Sequence, residues 1–236
     1  MIRTVLLGPL ARALRAAVRD GALEAPVEYA LFPLGWAFWL LDTLVRIPIL
    51  AREWSAGPRP RRIPVRAVPL LRSRADPDVA SARVRAVLSQ AAALLDPHGV
   101  RLEVQSVDPA LMPQTVPPPG CGLAAVAGRF FPWASARCAG APCLTVYFVE
   151  DLGSLAGCAV PGADWIVVEL RTDGTTVVHE LGHLADLWRH QADPDNVMTD
   201  RPGGTHDRID WWQAALIRTS RFALPVSPRR PTRGGS

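Results

Sequence analysis

The stretch TVVHELGHLADLWRHQADPDNVMTD, from Thr176 to Asp200, constrains this chain more than any other. His179 and His183 lie four residues apart, a spacing that puts two side chains on one face only in a helix. Val177, Leu181, Leu184 and Trp188 follow at i, i+4, i+7 and i+11, an apolar stripe beside the histidine face. The pattern predicts a helix that packs with one face and presents His179, Glu180 and His183 on the neighbouring one.

That arrangement has a chemical reading. Two imidazoles at this spacing can reach one metal ion, with the intervening glutamate beside the ion's open position. A catalytic zinc takes three protein ligands at about 2 Å and leaves a place for water. Glu180 is placed to act as general base toward that water. Five histidines occur in the chain, and His179, His183, His190 and His206 crowd into one region, as a shared metal site requires. The expectation is a zinc-dependent hydrolase.

Residues beyond the helix restrict the choice of third ligand. No glutamate occurs after Glu180, so a downstream glutamate ligand is excluded. His190 is the leading candidate, but an unbroken helix would set it about 10 Å along the axis from His183. The helix must therefore end between them, and Asp186, which tolerates a left-handed backbone better than most residues, is the expected break. Asp207 and His206 compete for the same role.

HELGH at 179–183 followed by HQADPDNVM at 190–198 resembles the metzincin metallopeptidases, whose pattern is HExxHxxGxxH and then a methionine turn, in its matrixin-like form. The resemblance implies His179, His183 and His190 as zinc ligands, Glu180 as catalytic base and Met198 as the methionine of the turn beneath the metal. Asp186 stands at the family's glycine position. One extra residue precedes the third histidine, so Arg189 occupies the strict ligand position, and a guanidinium cannot ligate. GTHD at 204–207 resembles the GTxD element of aspzincins, whose aspartate ligates zinc, which keeps Asp207 as the rival third ligand.

The order of elements upstream is similar to the metzincin upper subdomain. Residues 63–70 read as a first strand, its prolines suiting a strand end or edge. Residues 76–95 carry Val84, Val87, Leu88, Ala91 and Leu95 at helical spacing, with Asp76 or Asp78 to cap and Pro97 and Gly99 to close. Residues 100–107 alternate like a half-buried strand, and 144–149 and 165–170 are buried-strand runs. Residues 210–222 read as a last helix, with Thr205 or Asp207 as caps. The expected fold class is α+β: a metzincin-like zincin domain with a twisted mixed sheet, a backing helix, an active-site helix and a small C-terminal subdomain. It is preceded by N-terminal membrane-associated helices.

Four parts are expected: helical segments over residues 1–56, a linker at 57–61, a peptidase domain at 62–222, and a disordered tail at 223–236, rich in Pro, Arg and Gly. Arg12, Arg15 and Arg19 mark an amphipathic first helix. ALFPLGWAFWLLDTLVRIPIL, from Ala30 to Leu50, is about long enough to span a bilayer. Interfacial binding and packing on the catalytic domain are the alternatives. Asp42 and Arg46 are spaced to pair, and Trp36, Trp39 and Trp54 suit an interface. Cys121, Cys138, Cys143 and Cys158 precede the histidine helix, and their even count favours two disulfides and an extracytoplasmic catalytic domain.

All 26 basic side chains are arginine, and they are dispersed instead of forming an aromatic-interleaved stripe, so nucleic acid is not the expected partner. The expected partners are a peptide or protein substrate and, through the N-terminal segment, a membrane. The resemblance implies that an extended peptide would lie along a strand edge beside the histidine helix, within residues 156–170. No tyrosine follows Met198, which excludes a tyrosine ligand or oxyanion donor from that turn. A zincin fold kept as a catalytically silent metal-binding interaction domain is the alternative to a peptidase, as is an aspzincin-type enzyme using Asp207.

Overall fold

The computed structural model describes residues 24–72, 76–111, 143–159 and 164–226. The expected first amphipathic helix, Cys121, Cys138 and most of the tail lie outside them. Among the described residues the chain forms a mixed α/β fold with a mostly parallel sheet and four helices.

The elements run α1 (Glu24–Ala56), β1 (Arg61–Leu71), α2 (Pro77–Leu95) and a 3-10 turn (Asp96–His98). Then come β2 (Val100–Val107), β3 (Ala110–Leu111), β4 (Leu144–Val149), β5 (Gly157–Ala159) and β6 (Trp165–Glu169). The chain ends with α3 (Gly174–Leu184), α4 (Trp211–Thr219) and β7 (Leu224–Pro225). The strand order is β2-β1-β4-β6-β5, with β3 and β7 also pairing β1. All pairs are parallel except β5 with β6 and β7 with β1.

The central strands are buried on both faces, which is why β4 and β6 read as continuous apolar runs. One core joins Ile63, Val65, Val84, Leu88, Phe148, Ile166 and Leu181, so α2 and α3 share it with the sheet. Asp76 caps α2 by accepting from Asp78 N at 2.8 Å, Pro77 opens it, and Gly99 at φ 72° turns the chain into β2.

Two expectations change here. β1 lies inside the sheet, not at an edge, and its prolines fit because each sits where a ladder stops. Pro64 precedes the first pair with β4, Val65↔Leu144, and Pro69 falls between the β2 pair Ala67↔Val107 and the β3 pair Leu70↔Ala110. The last helix is capped by Asp210, not by Thr205 or Asp207: Asp210 and Gln213 form a reciprocal capping box.

The N-terminal segment also differs from its expected form. Among the described residues no helix is long and apolar enough to cross a membrane. In α1 the charges Asp42, Arg46, Arg52 and Glu53 interrupt the apolar run, and Arg46 and Glu53 are buried. They face α4, with Glu53 paired to Arg218, while Leu40, Leu41, Leu44, Val45 and Ile47 face outward. Arg46 pairs with Asp186; the expected neighbour Asp42 acts on it as a weaker electrostatic influence.

Candidate metal centre

Asp173 starts α3 by accepting from Thr175 N and Thr176 N, and buried Val177, Leu181 and Leu184 seat one face in the core. Trp188 does not continue this stripe, because the helix ends at Leu184. The end is a Schellman turn: Asp186 N donates to His183 O at 3.2 Å, and Leu187 N to Gly182 O at 3.0 Å. Asp186 has φ 72°, the left-handed conformation that glycine usually supplies. The break predicted between His183 and His190 is therefore present, at the predicted residue.

It brings three imidazoles together. His183 Nε2 lies 3.0 Å from His179 Nε2 and 3.3 Å from His190 Nε2, and the three ligand atoms lie within 4.8 Å of one another. Each ring is held from its other nitrogen. His179 Nδ1 meets Val197 O at 2.8 Å, His183 Nδ1 meets Leu187 O at 2.8 Å, and His190 Nδ1 lies 3.3 Å from Asp200 Oδ2. A carbonyl can only accept, so on His179 and His183 the proton sits on Nδ1 and each Nε2 keeps a bare lone pair.

Electrostatics reinforce that state. Burial, then the charge of neighbouring His179, pushes His183 down to about 4, and burial lowers His179 as well. The rings are thus neutral at pH 7, with lone pairs facing across a hydrogen-bond distance and no proton to share. A tetrahedral zinc with Zn–N distances of 2.0–2.1 Å spaces its ligand atoms about 3.3 Å apart, close to what is found here. The three histidines fit a zinc site.

Glu180, on the same helix, is buried, and among the described residues its Oε2 has no hydrogen-bond partner. Burial pushes its carboxyl up to about 8. Gly157 on β5 makes room for it, since a Cβ there would come within 2.9 Å of Glu180 Cγ and Oε1. Met198 is fully buried beneath α3, where a Cβ on Gly182 would lie 2.4 Å from its Sδ. The segment before Met198 is pinned to α4 by Asn196, whose side-chain amide exchanges hydrogen bonds with Gln213 at 3.2 and 2.9 Å. Asn196 Oδ1 also accepts from Met198 N at 2.9 Å.

Neither rival joins the cluster. Asp207 is exposed and accepts from Thr205 Oγ1 at 2.6 Å, and His206 contributes no atom to the group. The sequence reading missed Asp200, Asn196, Gln213 and Gly157. Only the D-x-x-Q spacing of Asp210 and Gln213 gave a local signal, that of a capping box. Cys143 and Cys158 are not free thiols, and the other two cysteines, Cys121 and Cys138, lie outside the described residues.

A scan of protein-family models returns no match, and neither does a search of curated proteins. Among solved structures the chain is similar to metalloproteinase-II from Bacteroides fragilis, at 11% identity and a TM-score of 0.45. The match covers 69% of this chain and 54% of that one, so this chain spans about half the length of that structure. The reading of function rests on the site's own geometry.

Proposed function

We propose that this chain is a zinc-dependent peptidase in which His179, His183 and His190 hold the metal and Glu180 is the general base. One observation carries the reading: three imidazoles converge their Nε2 atoms while each Nδ1 is already engaged, and the helix that carries two of them buries a carboxylate oxygen with no partner among the described residues. A structural cluster would share protons among its rings. Here His179 and His183 turn bare Nε2 lone pairs toward each other.

When bound, zinc supplies Lewis acidity that polarises a carbonyl and brings the pKa of a water near 7. With a dication held by the three histidines, Glu180 would be anionic in spite of its burial. Its carboxylate takes the proton of the attacking water and returns it to the departing amine. Asp200 orients His190, and the Val197 and Leu187 carbonyls orient the other two rings, as outer partners of metal-bound histidines do. β5 ends the described sheet order and packs against α3 at Gly157, so its outer edge is where an extended peptide would add as a strand. Met198 supports the histidine helix from below.

The outward apolar face of α1 favours membrane association through an interfacial helix instead of a spanning one. Cysteines that are not free thiols favour an extracytoplasmic catalytic unit. The deciding experiment is metal analysis of the purified chain together with turnover of a peptide library. One tightly held zinc per chain is expected, and Glu180→Gln should keep it while lowering peptide hydrolysis by roughly two or more orders of magnitude. Equal turnover in the two proteins would defeat the assignment of Glu180.

A further inference from the structure

Arg46 of α1 reaches the α3 exit, across 140 residues of sequence. It is buried, and its guanidinium donates from Nη1 to Asp186 Oδ2. It also donates from Nη2 to Leu216 O at 2.6 Å and from Nε to Thr219 O at 3.1 Å. Longer contacts of 3.4 Å run from Nη2 to Ala185 O and to Thr219 Oγ1. Ala185 is the C-cap of α3, and Leu216 and Thr219 belong to the last turn of α4. A single cation thus closes the negative ends of two helices at once.

The α3 end is the one on which the metal site depends. Asp186 holds a left-handed conformation that glycine adopts more readily than a residue with a side chain. The next residue, Leu187, supplies the carbonyl that orients His183, and His190 arrives three residues later. From these contacts we infer that Arg46 is a positioning residue of the metal site: it clamps Asp186 and so sets the turn that orients His183 and delivers His190. The inference rests on the three-histidine reading of the site. It makes zinc binding depend on α1 being docked.

The test is zinc affinity of the full chain, measured by competition with a chromophoric chelator, alongside the visible absorption of the cobalt(II)-loaded protein. Arg46→Ala should weaken zinc binding by about 10- to 100-fold and alter the cobalt spectrum, the effect usual for outer partners of metal ligands. Arg46→Lys keeps the charge but not the planar fork, and should fall between. Asp186→Gly removes both the carboxylate and the left-handed penalty, so Arg46→Ala/Asp186→Gly should recover to within about threefold of Asp186→Gly alone.

A folded Arg46→Ala protein with unchanged zinc affinity and cobalt spectrum overturns the inference. So does a double variant as weak as Arg46→Ala, because Arg46 would then act through general packing. If Arg46→Ala does not fold, rescue in the double variant supports the clamp and failure to rescue overturns it. His190→Ala with undiminished affinity would overturn the three-histidine reading and this inference together. Loss of zinc in His190→Ala but not in Arg46→Ala would overturn this inference alone.

Discussion

Glu180 should make the metal-free protein less stable as pH rises, and Glu180→Gln should abolish that dependence. Its carboxyl is pushed up by burial from 4.5 to about 8 in the folded chain. A raised pKa means that the folded state prefers the protonated form, so the contribution is fully present below 4.5 and is lost as pH climbs through 8. At about 1.4 kcal/mol per pKa unit, the loss is roughly 3 kcal/mol by pH 7 and approaches 5 kcal/mol above pH 8. Glutamine has nearly the same shape and no charge to expose. Urea denaturation of chelator-treated protein at pH 5, 6, 7 and 8 should therefore give two variants nearly equal at pH 5 that diverge steadily, with glutamine the more stable. His183, which is pushed down to about 4, loses stability as pH falls below its unfolded value, but it does so in both proteins and cancels in the difference. Zinc loading at pH 7 should release more protons from the wild type than from the glutamine variant, by up to about one, read by calorimetry in buffers of different ionisation enthalpy. A stability difference that stays constant from pH 5 to 8 would refute the argument, because a carboxyl insensitive to that range is either solvated or paired.

Other expectations rest on single contacts. His190→Ala should lower zinc affinity by several orders of magnitude in the same chelator competition, whereas Asp207→Ala should change neither affinity nor stability by more than about 0.5 kcal/mol, since Asp207 is exposed and caps no helix. Gly182→Ala should destabilise the fold by about 1–3 kcal/mol in chemical denaturation, because its methyl collides with buried Met198; an unchanged midpoint would mean that Met198 is not lodged under α3. The full chain should float with anionic vesicles, and replacing Leu41, Leu44 and Val45 with serine should release it; retention by the triple variant would move the binding surface elsewhere. Mass spectrometry of unreduced protein should find two bridges among Cys121, Cys138, Cys143 and Cys158, and four alkylatable thiols would contradict them.

The parts of this fold legible in the sequence are those encoded within a few residues. Asp76 followed by Pro77, the apolar positions of α2 and α3, and the left-handed break at Asp186 are local statements of capping, periodicity and backbone preference. The convergence of His190 on His179 and His183 followed from the same break, because a three-residue leg after a reversed turn is short enough to return to the helix. What was not legible depends on partners far along the chain. Pro64 and Pro69 argued for a strand end or an edge strand, and only the register of β1 against β2, β3 and β4 shows that its inner position leaves both nitrogens without a required partner. The 21-residue apolar stretch Ala30–Leu50 gave no hint that Arg46 inside it would turn toward Asp186. Hydropathy averages over the helix surface and is blind to which face carries the charge.

Local rules are broken three times within a dozen residues of α3 and its exit, and the breaks have a common logic. His179 and His183 face each other with bare lone pairs, Glu180 buries an oxygen with no partner, and Asp186 takes a glycine conformation. A helix selected only to fold would carry glutamine, leucine or glycine at these places and be more stable for it. Departures of this kind concentrate where function opposes stability. A dication held there would offset the first two, since it would give the lone pairs an acceptor and the carboxylate a neighbour of opposite charge. It would do nothing for the third, because Asp186 is not among the converging residues, and there the compensation comes from a cation the chain provides itself, Arg46. The two compensations differ in consequence. The metal can be removed by a chelator and its stabilisation recovered by mass action, in proportion to the logarithm of free zinc. Arg46 is part of α1, so its contribution leaves only when that helix leaves the α3–α4 corner. With the proposed metal bound, the site would therefore be stabilised by one ligand that exchanges with solvent and by one helix that does not.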